Sequence, residues 1–199
     1  MKNILVVYTS LNKENGNSTK LARQYLDQLR HKKDVTIVEK DLASDNLGHL
    51  TQAEMSAWMT PPEERSDAQT KLASVSNEIV SEVQAADEIV LGVPMYNFGI
   101  PSVLKAWIDR VARAGITFKY TETGPVGLLS NKKVTILAAR GGQYQGSDFD
   151  TQSPYLVHFF NFIGLTDVQF VYAEGLNMGE DIAKSAFSKA NEKIIELSA

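Results

Sequence analysis

Residues 2–19 read KNILVVYTSLNKENGNST, and this stretch decides the fold. Its first seven residues, Lys2–Tyr8, form a continuous aliphatic and β-branched run that stops at Thr9 and Ser10. Such runs fit strands covered on both faces, as in a parallel sheet. A polar loop comes next, and Asn17, Ser18 and Thr19 lead into a helical pattern of Leu21, Tyr25 and Leu29, spaced by four. Strand, polar loop and amphipathic helix together make the first half of a right-handed crossover.

The same alternation continues outward. Residues 88–93 (EIVLGV), Lys133–Ala139 (KVTILAA) and 168–172 (VQFVY) are further strand runs, and 35–38 (VTIV) is a weaker one. Between and after them lie helical stripes: Leu72, Val75, Ile79 and Val83; then Val103, Leu104, Trp107, Ile108 and Val111 behind Pro101, a favoured first-turn residue. Leu156, Phe159, Phe160 and Ile163 form the fourth stripe, and Ala183, Phe187, Ala190, Ile194 and Leu197 the last. Five alternations predict one α/β domain over 1–199, with helices on both faces of a five-stranded parallel sheet. The flavodoxin-like strand order, 2-1-3-4-5, is favoured, and it places ligands beyond the carboxyl ends of the strands. The stretch 41–67, with Pro61 and Pro62, has no clear period and reads as a partly helical excursion or a lid.

Composition narrows the function classes. The 199 residues are 43% hydrophobic and carry a net charge of −4, which argues against nucleic-acid binding. No apolar run approaches the ~20 residues that span a bilayer, and the start MKNILVVYTS is too short for a signal-peptide core. The absence of cysteine excludes disulfides, thiolate metal sites and cysteine nucleophiles. A soluble cytoplasmic protein is expected, with no membrane or nucleic-acid partner.

The loops at the strand exits carry the chemistry. After the first strand, Ser10, Gly16, Asn17 and Ser18 surround a helix N-terminus, whose unpaired N–H groups suit one phosphate, though taken alone a plain N-cap at Asn17 or Ser18 is the commoner use of these residues. Neither a G-x-G-x-x-G turn nor a G-x-x-x-x-G-K-[ST] loop is present, so a pyrophosphate is not expected. After the third, Pro94-Met95-Tyr96-Asn97-Phe98-Gly99-Ile100-Pro101 is unusually apolar for a loop and calls for a packing partner or a flat ligand. After the fourth, Arg140-Gly141-Gly142 permits close backbone approach, though a bare turn uses paired glycines too. Together the loops offer phosphate donors, a planar apolar wall and a polar edge, which matches flavin mononucleotide (FMN).

Four segments carry a closer resemblance: PMYNF at 94–98, ARAGITFKYTETGPVGL at 112–128, ARGG at 139–142 and FIGLTDV at 162–168. Over essentially its whole length the chain resembles the bacterial FMN-dependent NADH:quinone oxidoreductase and azoreductase family. That resemblance implies bound FMN, NADH or NADPH as donor, quinones and azo compounds as acceptors, two-electron ping-pong transfer and a homodimer. It implies that Ser10, Gly16, Asn17 and Ser18 hold the phosphate. It assigns Met95, Tyr96, Asn97, Phe98, Ala139, Arg140, Gly141 and Gly142 to the ribityl chain and ring. Asn97 is the candidate catalytic N–H near the flavin N5, and Phe118, Tyr120 and Phe162 are candidate walls for the acceptor. Ala139 is a departure, since family members often carry a hydroxyl residue there. A flavodoxin-type electron carrier is the alternative; it fits less well with so mild a charge and with the 41–67 excursion.

Other candidates point to structure. His31 beside Lys32 and Lys33 suits a helix C-terminus, His49 has no carboxylate near it in pattern, and His158 lies off its helix's apolar stripe. Asp148, Asp150, Glu180 and Asp181 suit helix starts, and no metal site is expected. Trp107, Ile116 and Phe118 are expected to supply apolar surface for the dimer.

Overall fold

A computed structural model describes residues 1–31 and 34–198. The strands are β1 (Lys2–Tyr8), β2 (Val35–Asp41), β3 (Glu88–Pro94), β4 (Phe118–Thr121), β5 (Gly124–Gly127), β6 (Lys133–Ala139) and β7 (Asp167–Ala173). The helices are α1 (Asn17–Arg30), α2 (Gln52–Met59), α3 (Asp67–Ala85), α4 (Ser102–Val111), α5 (Gln152–Phe162) and α6 (Glu180–Ser198). The main sheet runs β2-β1-β3-β6-β7, every pair parallel, while β4 and β5 form a separate antiparallel hairpin. Counting only the main sheet's strands, this is the expected order with a hairpin inserted before the fourth.

Side chains alternate between two cores, as the two-residue period of a strand requires. Leu5, Val7, Ile89, Leu91, Val134 and Ile136 face α3, α4 and α5. Ile4, Val6, Tyr8, Val90 and Leu137 face α1 and α6, against Leu21, Tyr25, Leu26 and Ile194.

One expectation is met in its first form, as a partly helical excursion, and another changes. The 41–67 stretch resolves into the end of β2, α2 and a 3-10 turn at Pro62–Glu64. Thr51 and Glu54 start α2 with a reciprocal capping box, and Glu54 pairs at 2.7 Å with buried Arg110, which anchors the excursion on α4. Trp107 is 1% exposed within the α3–α5 core, so it offers no surface to a partner. Its helix turns that face to the sheet, and only Ile116 of the three residues expected at the dimer surface stands exposed. His31 caps the C-terminus of α1, donating its N–H to Leu29 O; Lys32 and Lys33 lie outside the described residues.

Candidate functional site

The three loops at the carboxyl ends of β1, β3 and β6 meet through direct bonds. Tyr96 Oη lies 3.5 Å from Ser10 Oγ and accepts the Leu11 N–H at 3.2 Å. Met95 N–H donates to Ala139 O at 3.1 Å. Phe98 meets the Tyr144 ring edge-on, with centroids 5.8 Å apart, and Phe149 at 6.0 Å.

At the first loop, α1 begins with Gly16 as N-cap, no side-chain cap and no acidic residue in its first turn. Ser18 Oγ and Thr19 Oγ1 are buried and are the only buried side-chain polar atoms among the described residues without a hydrogen-bond partner. A Cβ on Gly16 would stand 2.2 Å from Ser10 Oγ, so only glycine lets the chain close over Ser10 here. Uncapped N–H groups beside orphaned hydroxyls form a cradle for an anion. Asn17 is exposed at the rim.

The second loop is a two-residue hairpin turn. Tyr96 and Gly99 exchange backbone bonds of 3.0 and 2.9 Å, and Asn97 and Phe98 between them have φ of 48° and 66°. Left-handed backbone on a bulky aromatic costs on the order of 1–3 kcal/mol and persists where its surroundings enforce it. Thr151 Oγ1 supplies one restraint by donating to Phe98 O at 2.5 Å.

The third loop corrects the expectation for Arg140. Its side chain is fully buried behind the loop, paired with Asp150 (3.0 Å) and Glu174 (2.9 Å) and lying over the Tyr172 ring at 4.9 Å. Only its backbone faces the site's edge, because the guanidinium is consumed by these partners. Burial by itself would raise the Asp150 carboxyl, but hydrogen bonds from Ser153 and Arg140 outweigh it and hold the pKa below the ordinary value. Asp150 also accepts the Ser153 N–H at 3.0 Å, the capping role its position suggested. The Gly141 and Gly142 carbonyls accept the Asn177 and Gly175 N–H groups at 3.0 and 2.8 Å, which fixes the glycine turn from behind.

Phe118, Tyr120 and Phe162 do gather, with centroids 4.3 Å apart for Phe118–Phe162 and 5.4 Å for Phe118–Tyr120. They gather elsewhere. Thr151, the N-cap of α5, and Gln152, its first residue, touch the Phe98 turn, whereas Phe162 is the helix's last residue, roughly 15 Å further along. The hairpin seats there because Gly127 and Gly164 touch: a Cβ on Gly127 would lie 2.1 Å from Gly164 N.

Tyr144, Phe149, Gln152 and Glu174 join the site without having been expected. Phe149 is 64% exposed beside Phe98, a signal that an apolar residue in the S-D-F-D loop already carried. Gln152 and Glu174 gave none, since each acts across the fold.

A family model for the flavodoxin-like fold matches residues 2–197. The chain is 65% identical over 197 residues to an FMN-dependent NADH:quinone oxidoreductase of Alteromonas mediterranea, covering 99% of this chain and 98% of that one. It belongs to the FMN-dependent NADH:quinone oxidoreductase family. Another relative with that name, from Alcanivorax borkumensis, is 52% identical and spans 97% of this chain and 98% of its own. Among solved structures, an azoreductase of Bacillus anthracis superposes with a TM-score of 0.91 at 30% identity, covering 100% of this chain and 99% of that one. An FMN-dependent NADH-azoreductase of the same species, solved with FMN, gives 0.88 at 28% identity with 100% of both chains covered. This member of the quinone oxidoreductase family thus shares its whole architecture with proteins named azoreductases.

Proposed function

We propose that this chain is an FMN-dependent NAD(P)H:quinone oxidoreductase that also cleaves aromatic azo compounds reductively. The observation that carries the reading is the uncapped start of α1, where Ser18 Oγ and Thr19 Oγ1 are buried without partners. A monophosphate supplies the missing acceptors, and FMN carries one. Bound FMN supplies two-electron transfer between a pyridine nucleotide and a flat acceptor, and the protein's part is to orient and tune it.

The chain's own groups divide that work. Gly16, Asn17 and Ser18 take the phosphate, with Ser10 closing the nest. Met95 to Phe98 wall one side of the ring, and the strained turn presents the Asn97 N–H toward it. The backbone from Ala139 through Arg140 to Gly142 borders the polar edge, where amides stabilise developing negative charge. The Arg140 side chain acts behind this surface.

The enzyme works as a single-domain protomer in a homodimer. Phe118, Tyr120 and Phe162 lie at the far end of α5 from the turn, so they reach acceptors only at a second copy's site. Tyr120 is 75% exposed, with Ile116, Val126 and Leu128 exposed beside it in sequence, an apolar surface suited to an interface. No helix among the described residues is long and apolar enough to cross a membrane. The proposed setting is the cytoplasm, without nucleic-acid or membrane partners.

Side-by-side assay of NADH oxidation with a quinone and with a one-electron protein acceptor tests the reading. Turnover with the quinone supports it; turnover with the protein acceptor only would favour the carrier. Sedimentation under assay conditions tests the dimer, and a fully active monomer overturns it.

A further inference from the structure

One buried side chain joins two loops of the site. Gln152, the first residue of α5, is 1% exposed. Its Nε2 donates to Pro94 O at 2.9 Å and Gly99 O at 3.2 Å, and its Oε1 accepts from Arg140 Nε at 3.2 Å. Only one orientation of the amide satisfies two carbonyls and a guanidinium together, so this network fixes it. Pro94 and Gly99 bracket the Asn97–Phe98 turn, and Arg140 heads the glycine loop. Neighbouring Thr151 holds Phe98 O from outside, and Glu174 accepts the Tyr144 and Gln145 N–H groups at 3.1 and 3.0 Å. A left-handed pair needs such enforcement, and Gln152 grips it at both ends.

We propose that Gln152 is a positioning residue that locks the Asn97–Phe98 turn against the Arg140–Gly142 loop and thereby fixes the surface that meets the flavin ring. The second half rests on the FMN reading; the lock does not. Gln152→Met keeps the length of the side chain and removes every one of its hydrogen bonds.

Amide hydrogen exchange on the purified full chain, with whatever cofactor it carries, is the test. The Tyr96 and Gly99 amides report the turn, and the Leu91 amide in β3 reports global opening. In Gln152→Met the two turn amides should exchange about tenfold faster relative to Leu91. Turn amides at the wild-type rate would overturn the lock. Should Leu91 also accelerate, the difference decides: turn amides that speed up more than Leu91 support the lock, and equal acceleration overturns it. In the FMN-loaded enzyme, release of FMN should quicken and kcat should fall more than the KM for NADH rises. A loosened turn with unchanged FMN release and kcat overturns the functional half. Failure of the wild-type chain to bind FMN would instead strike the proposed function, leaving the exchange result to judge the lock.

Discussion

At the amino ends of the strands, Glu88 is 1% exposed and fully engaged, accepting from Tyr25 Oη at 2.6 Å, Thr135 Oγ1 at 2.9 Å and Lys2 Nζ at 2.8 Å. At the carboxyl ends, Ser18 and Thr19 are as deeply buried, yet their hydroxyls bond to nothing among the described residues. Buried polar groups without partners are costly, and the end that keeps them is the one proposed above to take the ligand. The amino end is finished by folding itself.

The largest effect expected from this contrast is on stability. Glu88→Ala leaves the buried Tyr25 and Thr135 hydroxyls without their acceptor, and should destabilise the chain by about 2–5 kcal/mol in denaturant unfolding. The folded fraction should still bind FMN normally. A parallel loss of FMN affinity would mean that the two ends are coupled.

Next comes the mirror experiment at the other end. Ser18→Ala should weaken FMN by about 1–3 kcal/mol, read by flavin fluorescence titration. The FMN-free chain should be as stable as wild type or slightly more so, because an unpaired buried hydroxyl is gone. A comparable loss of stability without FMN would make Ser18 an ordinary structural residue.

The pH dependence is a smaller effect. Burial by itself would raise the Glu88 pKa, but hydrogen bonds from Lys2 and Tyr25 outweigh it and hold it below the ordinary carboxylate value. Its stabilisation is therefore complete above the unfolded value of roughly 4.3 and is lost as pH falls through the lower folded value. Acid unfolding of Glu88→Gln should show a flatter acid limb; an unchanged limb would assign acid sensitivity to other carboxylates. The smallest effect belongs to Lys2→Met. Lys2 is 46% exposed, so solvent screens its bridge and the expected loss is only about 0–1 kcal/mol.

Period and punctuation in the sequence determined the sheet, because a strand buried on both faces must be apolar throughout and the helices beside it must show one apolar stripe. They also marked the loops after β1, β3 and β6, since asparagine, serine and glycine at a helix start, or aromatics between prolines, are local departures from ordinary loop chemistry. The β4–β5 hairpin leaves no such mark because FKYT and GPVG are short, mostly exposed and interrupted by glycine and proline. Only the tertiary structure decided which members of those loops face the site. Arg140 withdrew behind it because Asp150 and Glu174, 10 and 34 residues later, compensate its charge in the interior. Trp107 went inward with α4, and Gln152 became the link between two loops 53 and 12 residues away. Such roles depend on groups that folding brings together from distant positions, and no local pattern records them.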